Sequence, residues 1–373
     1  MEFIELAELC DKGLSNLAQK DLVFDSGIYP VYGAPGEITK VDFFHQSKPY
    51  LGLIKDGAGV GRVMQLPANS SVIGTIQYIF PKENVDLKYL YYLIKYLDLG
   101  KANTGATIPH IYFKDYKKRK VKVREYSEQK HIGQILELID SHLRTYKKVL
   151  EQYDLLIKSR FVEMFGDPVI NNKKWASMNL HEISIKITNG NTPQGGSRVY
   201  INHGVLFIRS QNVWNNRLDL DDVVHISESL NEKMKETRLR KNDLLITKTG
   251  RFNTENSSLG RCALYTGPDF QANINGHVYL VRLKAEYNPN FILSILTSEA
   301  YKNLIRTVCV GGIDKRQLNK SHIELFPIIV PPIELQNQYI QFLSQINKLK
   351  ADVQKSIDKA QLLMDSLMQE YFG

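Results

Sequence analysis

Apolar residues recur at alternating steps of three and four along two stretches of this sequence, residues 128–166 and 335–373. Such steps place one narrow apolar seam on an α-helix, which is typical of a coiled coil rather than of a helix lying on a broad core. The stretches match each other at an offset of 207 residues, both end in Phe-Gly, and each seam has one basic interruption, Arg160 or Lys350. The predicted seam residues are Leu136, Ile139, Leu143, Tyr146, Leu150, Tyr153 and Ile157 in the first helix, and Leu343, Ile346, Val353, Ile357, Ala360, Met364 and Leu367 in the second.

Self-similarity at a fixed offset indicates a tandem duplication. We therefore predict an α+β fold with globular α/β units at residues 1–126 and 168–330, followed by long helices at 127–167 and 331–373. The simplest partner for each helix is the other one, which gives an antiparallel intramolecular coiled coil and a pseudo-twofold tandem repeat. Pairing of the helices between two chains of a homodimer is the open alternative, which a mass measurement in solution would settle.

The two globular segments have similar patterns of short apolar runs. Strand-like runs at 3–9 and 178–183 are followed by apolar strands after glycine, and later by a Gly-Arg-apolar motif at Gly61 and at Gly260. Each pattern then predicts further strands and a single amphipathic helix, over 87–97 in one segment and over 290–305 in the other. The loops between these runs differ, so we expect a shared scaffold with different contact surfaces.

Composition narrows the class of protein. The chain has 373 residues, with 48 Lys and Arg against 40 Asp and Glu, a net charge of +8 that is compatible with nucleic-acid binding without requiring it. Three widely spaced cysteines favour a reducing compartment. The acidic first residues and the lack of a long apolar run predict neither a signal peptide nor a membrane span, so we expect a cytoplasmic protein.

Patterns typical of enzymes are missing from the sequence. There is no P-loop, no glycine-rich S-adenosylmethionine loop and no histidine spacing suited to a metal. The segment 329–333 has a Pro-Pro pair without the polar and aromatic flanks of a methyltransferase motif. We expect no intrinsic catalysis, no metal and no cofactor.

The chain resembles the specificity subunits of type I restriction–modification systems over essentially its whole length. The resemblance is carried by Val330-Pro331-Pro332-Ile333-Glu334-Leu335-Gln336 and by Phe165-Gly166-Asp167-Pro168. One departure is Arg124-Glu125, which stands where the second copy has Pro331-Pro332. The resemblance implies a non-catalytic subunit with two target-recognition domains, residues 1–126 and 168–330, that reads a two-part asymmetric site in double-stranded DNA. It also implies two methyltransferase subunits that bind S-adenosylmethionine, and translocating nuclease subunits, as partners.

A competing hypothesis is a protein-binding adaptor whose coiled coil scaffolds partners and whose two domains bind peptides. Salt-sensitive retention on a polyanion column would separate it from a DNA reader. If the DNA hypothesis holds, residues 128–165 form a rod of about 57 Å, which spans about 16 base pairs of B-DNA. The paired helices would then act as a ruler between two readers.

Three segments of the second domain contain residue types suited to DNA. They are residues 208–212, residues 247–251 with Arg261 beyond them, and residues 315–316. Arginine suits guanine and the amides suit adenine, although Gln and Asn also close turns, so both interpretations of the first segment stay open. Replacing Arg209 should then relax one position of the target sequence. The candidates are Arg209, Gln211, Asn212, Lys248, Thr249, Arg251, Arg261, Lys315 and Arg316.

The first domain offers corresponding loops and a basic run over 114–124. Alternation of Val121 and Val123 with cations predicts a strand with one cationic face, and a lysine-rich edge strand exposed to solvent is the rival interpretation. Replacing Lys118 should weaken binding to all sequences alike. The candidates here are Tyr32, Lys55, Arg62, Asn103, Thr104, Lys117, Lys118 and Arg119.

Overall fold

A computed structural model describes residues 2–102, 109–252, 254, 256–312 and 314–373. Contacts divide the chain into two units, residues 1–150 with 351–373 (unit 1) and residues 151–350 (unit 2). This division cuts each long helix, whereas the sequence placed boundaries at the helix ends. The sequence-based domain boundaries therefore stay a prediction.

The described residues of unit 1 form three small sheets, the buried helix α1, the short helix α2 and the first part of the long helix α3. One sheet has the antiparallel order β2-β8-β5-β6, a second has the order β4-β3-β7 with β3 and β7 parallel, and β1 pairs with β9. The strands are β1 Glu2–Glu5, β2 Cys10–Gly13, β3 Tyr29–Gly33, β4 Gly36–Val41, β5 Tyr50–Ile54, β6 Val63–Leu66, β7 Ser71–Val72, β8 Ile76–Pro81 and β9 Lys120–Val123. The helices are α1 Leu87–Leu97, α2 Phe113–Tyr116 and the long α3 Tyr126–Phe165.

Unit 2 repeats this plan with additions. Its sheets have the orders β11-β20-β16-β18, β15-β12-β19 and β10-β23, and two further sheets have the orders β13-β14 and β17-β22-β21. The strands are β10 Ser177–Asn179, β11 Ser184–Asn189, β12 Val205–Ile208, β13 Val213–Trp214, β14 Arg217–Leu218, β15 Val224–Ile226, β16 Leu244–Thr247, β17 Thr249–Gly250, β18 Cys262–Leu264, β19 Ala272–Ile274, β20 Val278–Leu283, β21 Val310–Gly312, β22 Lys315–Gln317 and β23 Pro327–Ile329. The helices are α4 Glu228–Lys233, α5 Pro289–Leu296, α6 Glu299–Val308, α7 Lys320–Glu324 and the long α8 Ile333–Phe372.

The Gly-Arg-apolar motif has the same structural role in both units. Gly61 donates its N–H to the carbonyl of Ile54 at 2.8 Å, and Gly260 donates to Thr247 at 3.1 Å. Both glycines have positive φ, +84° and +69°, which residues with a Cβ rarely adopt. The predicted kinship of the two globular segments is thus present in their strand order and in this turn.

The long helices begin and end at positions that keep the offset of 207 residues. Their first turns are closed in the same way, because Gln129 donates to the carbonyl of Arg124 at 2.9 Å and Gln336 donates to that of Pro331 at 2.8 Å. Both glutamines are buried, with 2% and 6% exposure. The first helix therefore keeps this closure although it lacks the Pro-Pro pair.

Three sequence-based predictions were wrong in detail. The strand predicted over 178–183 ends at Asn179, and a turn follows it. The helix predicted over 290–305 is two helices, because Ser298 accepts a hydrogen bond from the N–H of Tyr301 and so caps a new helix after Leu296. The strand predicted over 3–9 ends at Glu5 and continues as a 3₁₀ turn, Leu6–Glu8. The helix predicted over 87–97 has those bounds in the structure.

Each unit packs a part of α3 against a part of α8. In unit 1, Leu136, Ile139 and Leu143 share a core with Met364 and Met368. In unit 2, the rings of Phe161 and Phe165 lie 5.5 and 5.6 Å from that of Tyr339, and Lys350 pairs with Asp154 at 2.5 Å. All the residues of the predicted seams are buried or half-buried.

Candidate nucleic-acid interface

The segment after β12 is closed by the side chain of Asn212. Its Nδ2 donates to the carbonyls of Asp219 and Asp222 at 3.0 and 2.8 Å, and its Oδ1 accepts from the backbone N–H of Arg209 at 2.9 Å. Asn212 is 2% exposed. Its amide is therefore used inside the protein and closes the turn, the second of the two interpretations that the sequence left open.

The other polar side chains of this segment converge on Asp222. Arg209 Nη2 lies 2.9 Å from the carbonyl oxygen and 3.2 Å from the Oδ2 of Asp222, and Gln211 Nε2 donates to the same Oδ2 at 2.6 Å. A base edge would have to compete with these bonds. The acidic run 219–222, absent from the candidate residues, was the available signal in the sequence.

The structure brings the other two segments of unit 2 together in the sheet β17-β22-β21. Thr249 and Gly250 face Gln317 and Arg316, and Gly312 faces Lys315 across the β21–β22 hairpin. Each residue of β21 is exposed. Two candidates that are far apart in the sequence therefore form one surface.

The cationic side chains on this surface differ in how many contacts they make with the rest of the protein. The Arg316 guanidinium stacks 4.9 Å from the ring of Phe252, and its Nη1 donates to the carbonyl of Cys309 at 3.4 Å. Lys248 Nζ lies 5.9 Å from the ring centre of Tyr279. Arg251 and Lys315 are exposed, and neither forms an ion pair with another described residue.

Arg261 is buried and supports the neighbouring loop. Its guanidinium stacks 3.7 Å from the ring centre of Trp214 and donates to the carbonyls of Ser257 and Asn256 at 2.9 and 2.5 Å. Burial, and then the charge of Arg217, lowers the pKa of Arg261 below its ordinary value. With 8% exposure, this arginine positions the loop and is not presented to solvent.

The candidates of unit 1 are less tightly bound. Tyr32 is half-buried in β3, and burial, followed by the charge of Glu37, raises the pKa of its phenol. Lys55 pairs with Asp56 at 3.3 Å, and exposed Arg62 donates to the carbonyl of Ala34. Asn103 and Thr104 lie outside the described residues.

The basic run surrounds the edge strand β9, which pairs only with β1 among the described strands. Val121 is buried, Lys118 and Lys120 are exposed, and Lys117 is half-buried. Arg119 Nη1 donates to the carbonyl of Leu97 at 2.8 Å, so this guanidinium is already hydrogen-bonded within unit 1. The predicted strand is present, and both interpretations of its lysines stay open.

The described residues contain no group of three or more His, Cys, Asp and Glu arranged to hold a metal ion. In the same part of the chain, no helix has the length and apolar character needed to cross a membrane.

A sequence model for the type I restriction modification DNA specificity domain matches residues 1–153 and residues 172–361. The chain belongs to this family. Its two matches to the specificity domain agree with the duplicated strand order described above.

Named relatives of this specificity-domain chain are distant. It is 22% identical over 200 residues to the putative type I restriction enzyme MjaX specificity subunit of Methanocaldococcus jannaschii, covering 53% of this chain and 45% of the relative. It is 20% identical over 319 residues to the type I restriction enzyme EcoBI specificity subunit of Escherichia coli, covering 77% and 64%. The chain therefore spans less than two thirds of the length of both curated relatives.

A solved structure has the same fold. The crystal structure of a type I restriction-modification system S subunit from M. genitalium aligns with a TM-score of 0.65 over 100% of this chain and 96% of that chain. Sequence identity is 16%, so this likeness concerns the fold.

Proposed function

We propose that this chain is the non-catalytic DNA-recognition subunit of a type I restriction–modification complex, reading a two-part asymmetric site with one half for each domain. The main support for this proposal is the strand order that both units share. The specificity-domain family matches the chain twice, and the loops of the two copies present different side chains. A duplicated frame with different surfaces suits two different half-sites. A peptide-binding adaptor has no comparable support from the family.

The long helices form an antiparallel intramolecular coiled coil in this proposal, which relates the two domains by a pseudo-twofold axis. Support comes from contacts inside each unit. The beginning of α3 packs with the end of α8 in unit 1, and the end of α3 packs with the beginning of α8 in unit 2. The recognition domains are residues 1–126 and 168–330, and the helices fix the spacing between the half-sites.

The side-chain geometry changes which of the candidate residues we expect to contact DNA. Arg251 and Lys315 in unit 2 and Lys117 and Lys118 in unit 1 form no ion pair with a described residue, so they are suited to phosphate contacts. The more tightly held side chains serve to position loops, and these are Arg209, Gln211, Asn212 and Arg261.

Chemistry in the complex belongs to the partners. Two methyltransferase subunits, which bind S-adenosylmethionine, dock on the coiled coil, and restriction and translocase subunits join them. The chain itself needs no cofactor for recognition.

Selection from a library of randomised DNA duplexes tests the function. The full chain, co-purified with its methyltransferase partner, should enrich duplexes that share two short motifs at a constant separation. Folded complex that enriches no motif at any salt concentration would contradict DNA reading and favour the adaptor.

Replacing Lys117 and Lys118 with alanine together should weaken binding to cognate and scrambled duplexes alike. Each lost phosphate contact lowers the slope of log K against log salt by about 0.9, so we expect a reduction of about 1–2. Binding isotherms at several salt concentrations measure it. The matched control is Lys147→Ala with Lys148→Ala, two exposed lysines on α3, and an equal loss in that variant would contradict a local contact at 117–118.

A further inference from the structure

In both units a lysine follows one of the two inner strands of the four-stranded sheet, Lys55 after β5 and Lys248 after β16. Lys55 N donates to Thr75 at 3.0 Å and its carbonyl accepts from the N–H of Ile111 at 2.9 Å. Lys248 has the same two bonds, to His277 at 2.8 Å and from Leu318 at 2.9 Å. The two lysines therefore occupy equivalent backbone positions.

The next residue in each unit faces a polar residue across an antiparallel pairing. Asp56 faces His110 in unit 1, and Thr249 faces Gln317 in unit 2. All four residues are half-buried. At the same backbone position, both units therefore have a lysine. The pair of polar residues beside this lysine differs between the two units.

Gln317, Thr249 and Asp56 retain free hydrogen-bonding groups. Gln317 Nε2 has one contact, with Asn319 Oδ1 at 3.3 Å, and its Oε1 has none with a described residue. Thr249 Oγ1 lies 3.4 Å from His277 Nδ1. Asp56 Oδ2 forms an ion pair with Lys55 Nζ at 3.3 Å, and its Oδ1 has no hydrogen bond with a described residue. By contrast, both the nitrogen and the oxygen of the Asn212 amide are hydrogen-bonded within its loop.

We propose that the cross-strand pairs Asp56/His110 and Thr249/Gln317 are the specificity-determining residues of the two half-sites. This inference rests on the proposed function. Glutamine can bind the adenine edge with two hydrogen bonds, and a carboxylate accepts from the cytosine amino group. Lys55 and Lys248 supply the phosphate contact common to both domains. Strands β21 and β22, of which β21 is exposed, form a two-stranded ribbon of the kind that a major groove admits.

Transplanting the pair of unit 1 into unit 2, by Thr249→Asp with Gln317→His, tests the assignment. Duplex selection by the full chain with its methyltransferase partner should show an altered or relaxed base preference in one half-site. The other half-site and the spacer should stay the same. At the affected position, discrimination should fall about 5- to 150-fold, the effect of one good bidentate contact. Exposed Gln271, in the same unit, gives the control Gln271→Ala, which should leave the selected site unchanged.

The single variant Gln317→Ala decides the matter if the double variant does not fold, as judged by its thermal transition. It should relax one base position in one half-site. An unchanged site for a folded Gln317→Ala variant would overturn the inference and leave DNA reading intact, since the wild-type chain would still select its motif. Equal relaxation of both half-sites would also overturn it. Wild-type complex that selects no motif would instead overturn the proposed function itself.

Discussion

Duplicating one heptad in each long helix is expected to lengthen the spacer of the target by about 3 base pairs and to leave both half-sites unchanged. Seven helical residues add about 10 Å at 1.5 Å each, and base pairs are about 3.4 Å apart. Repeating residues 142–148 in α3 and 349–355 in α8 keeps the seam in phase, because each inserted segment is one complete heptad. Sequencing the modified sites measures the spacer.

Inserting four residues into α3 alone is the matched control. Such an insertion shifts the seam out of phase with its partner, so we expect loss of modification rather than a new spacer. A double-heptad variant that modifies the original site with the original spacer would contradict the ruler.

Replacing Tyr339 with alanine is expected to lower the free energy of unfolding by about 3–5 kcal/mol, as for other large aromatic residues removed from a core. Tyr339 is 1% exposed, and its ring lies against those of Phe161 and Phe165, near the end of the other long helix. The loss therefore reports on the packing of the two helices within unit 2. Urea unfolding of the full chain measures it.

Leu362→Ala, on the same helix, is the control for this change. Leu362 is 72% exposed and lies outside the seam, so its removal should change stability by no more than about 0.5 kcal/mol. Equal effects of the two substitutions would argue against a stabilising role for the aromatic contact.

The long helices were predictable because their signal is local and repeated. The steps of three and four placed the seam, and the Phe-Gly motif marked the end of α3, where Gly166 has a positive φ of +76°. Helix α1 was equally clear, with Asp86 capping its first turn. The break at Ser298 was missed because apolar residues continue on both sides of it.

Sheet pairing and the geometry of the candidate interface depend on contacts that are distant in sequence. Nothing in the sequence pairs Thr249 with Gln317, or Asp56 with His110. The parallel pairing of β3 with β7 was equally hidden. Arg209 looked suited to a base because the sequence does not reveal that the fold brings Asp222 to its guanidinium. Residue type therefore identified cationic candidates but not which of them are already bound.

Mapping modified adenines across the genome of a host, with and without this chain and in the presence of the methyltransferase subunit proposed as its partner, tests the central claim most directly. The account predicts modification of one two-part sequence with a constant spacer, and its complete loss without the chain. Modification of the same sequence in the absence of the chain would contradict it.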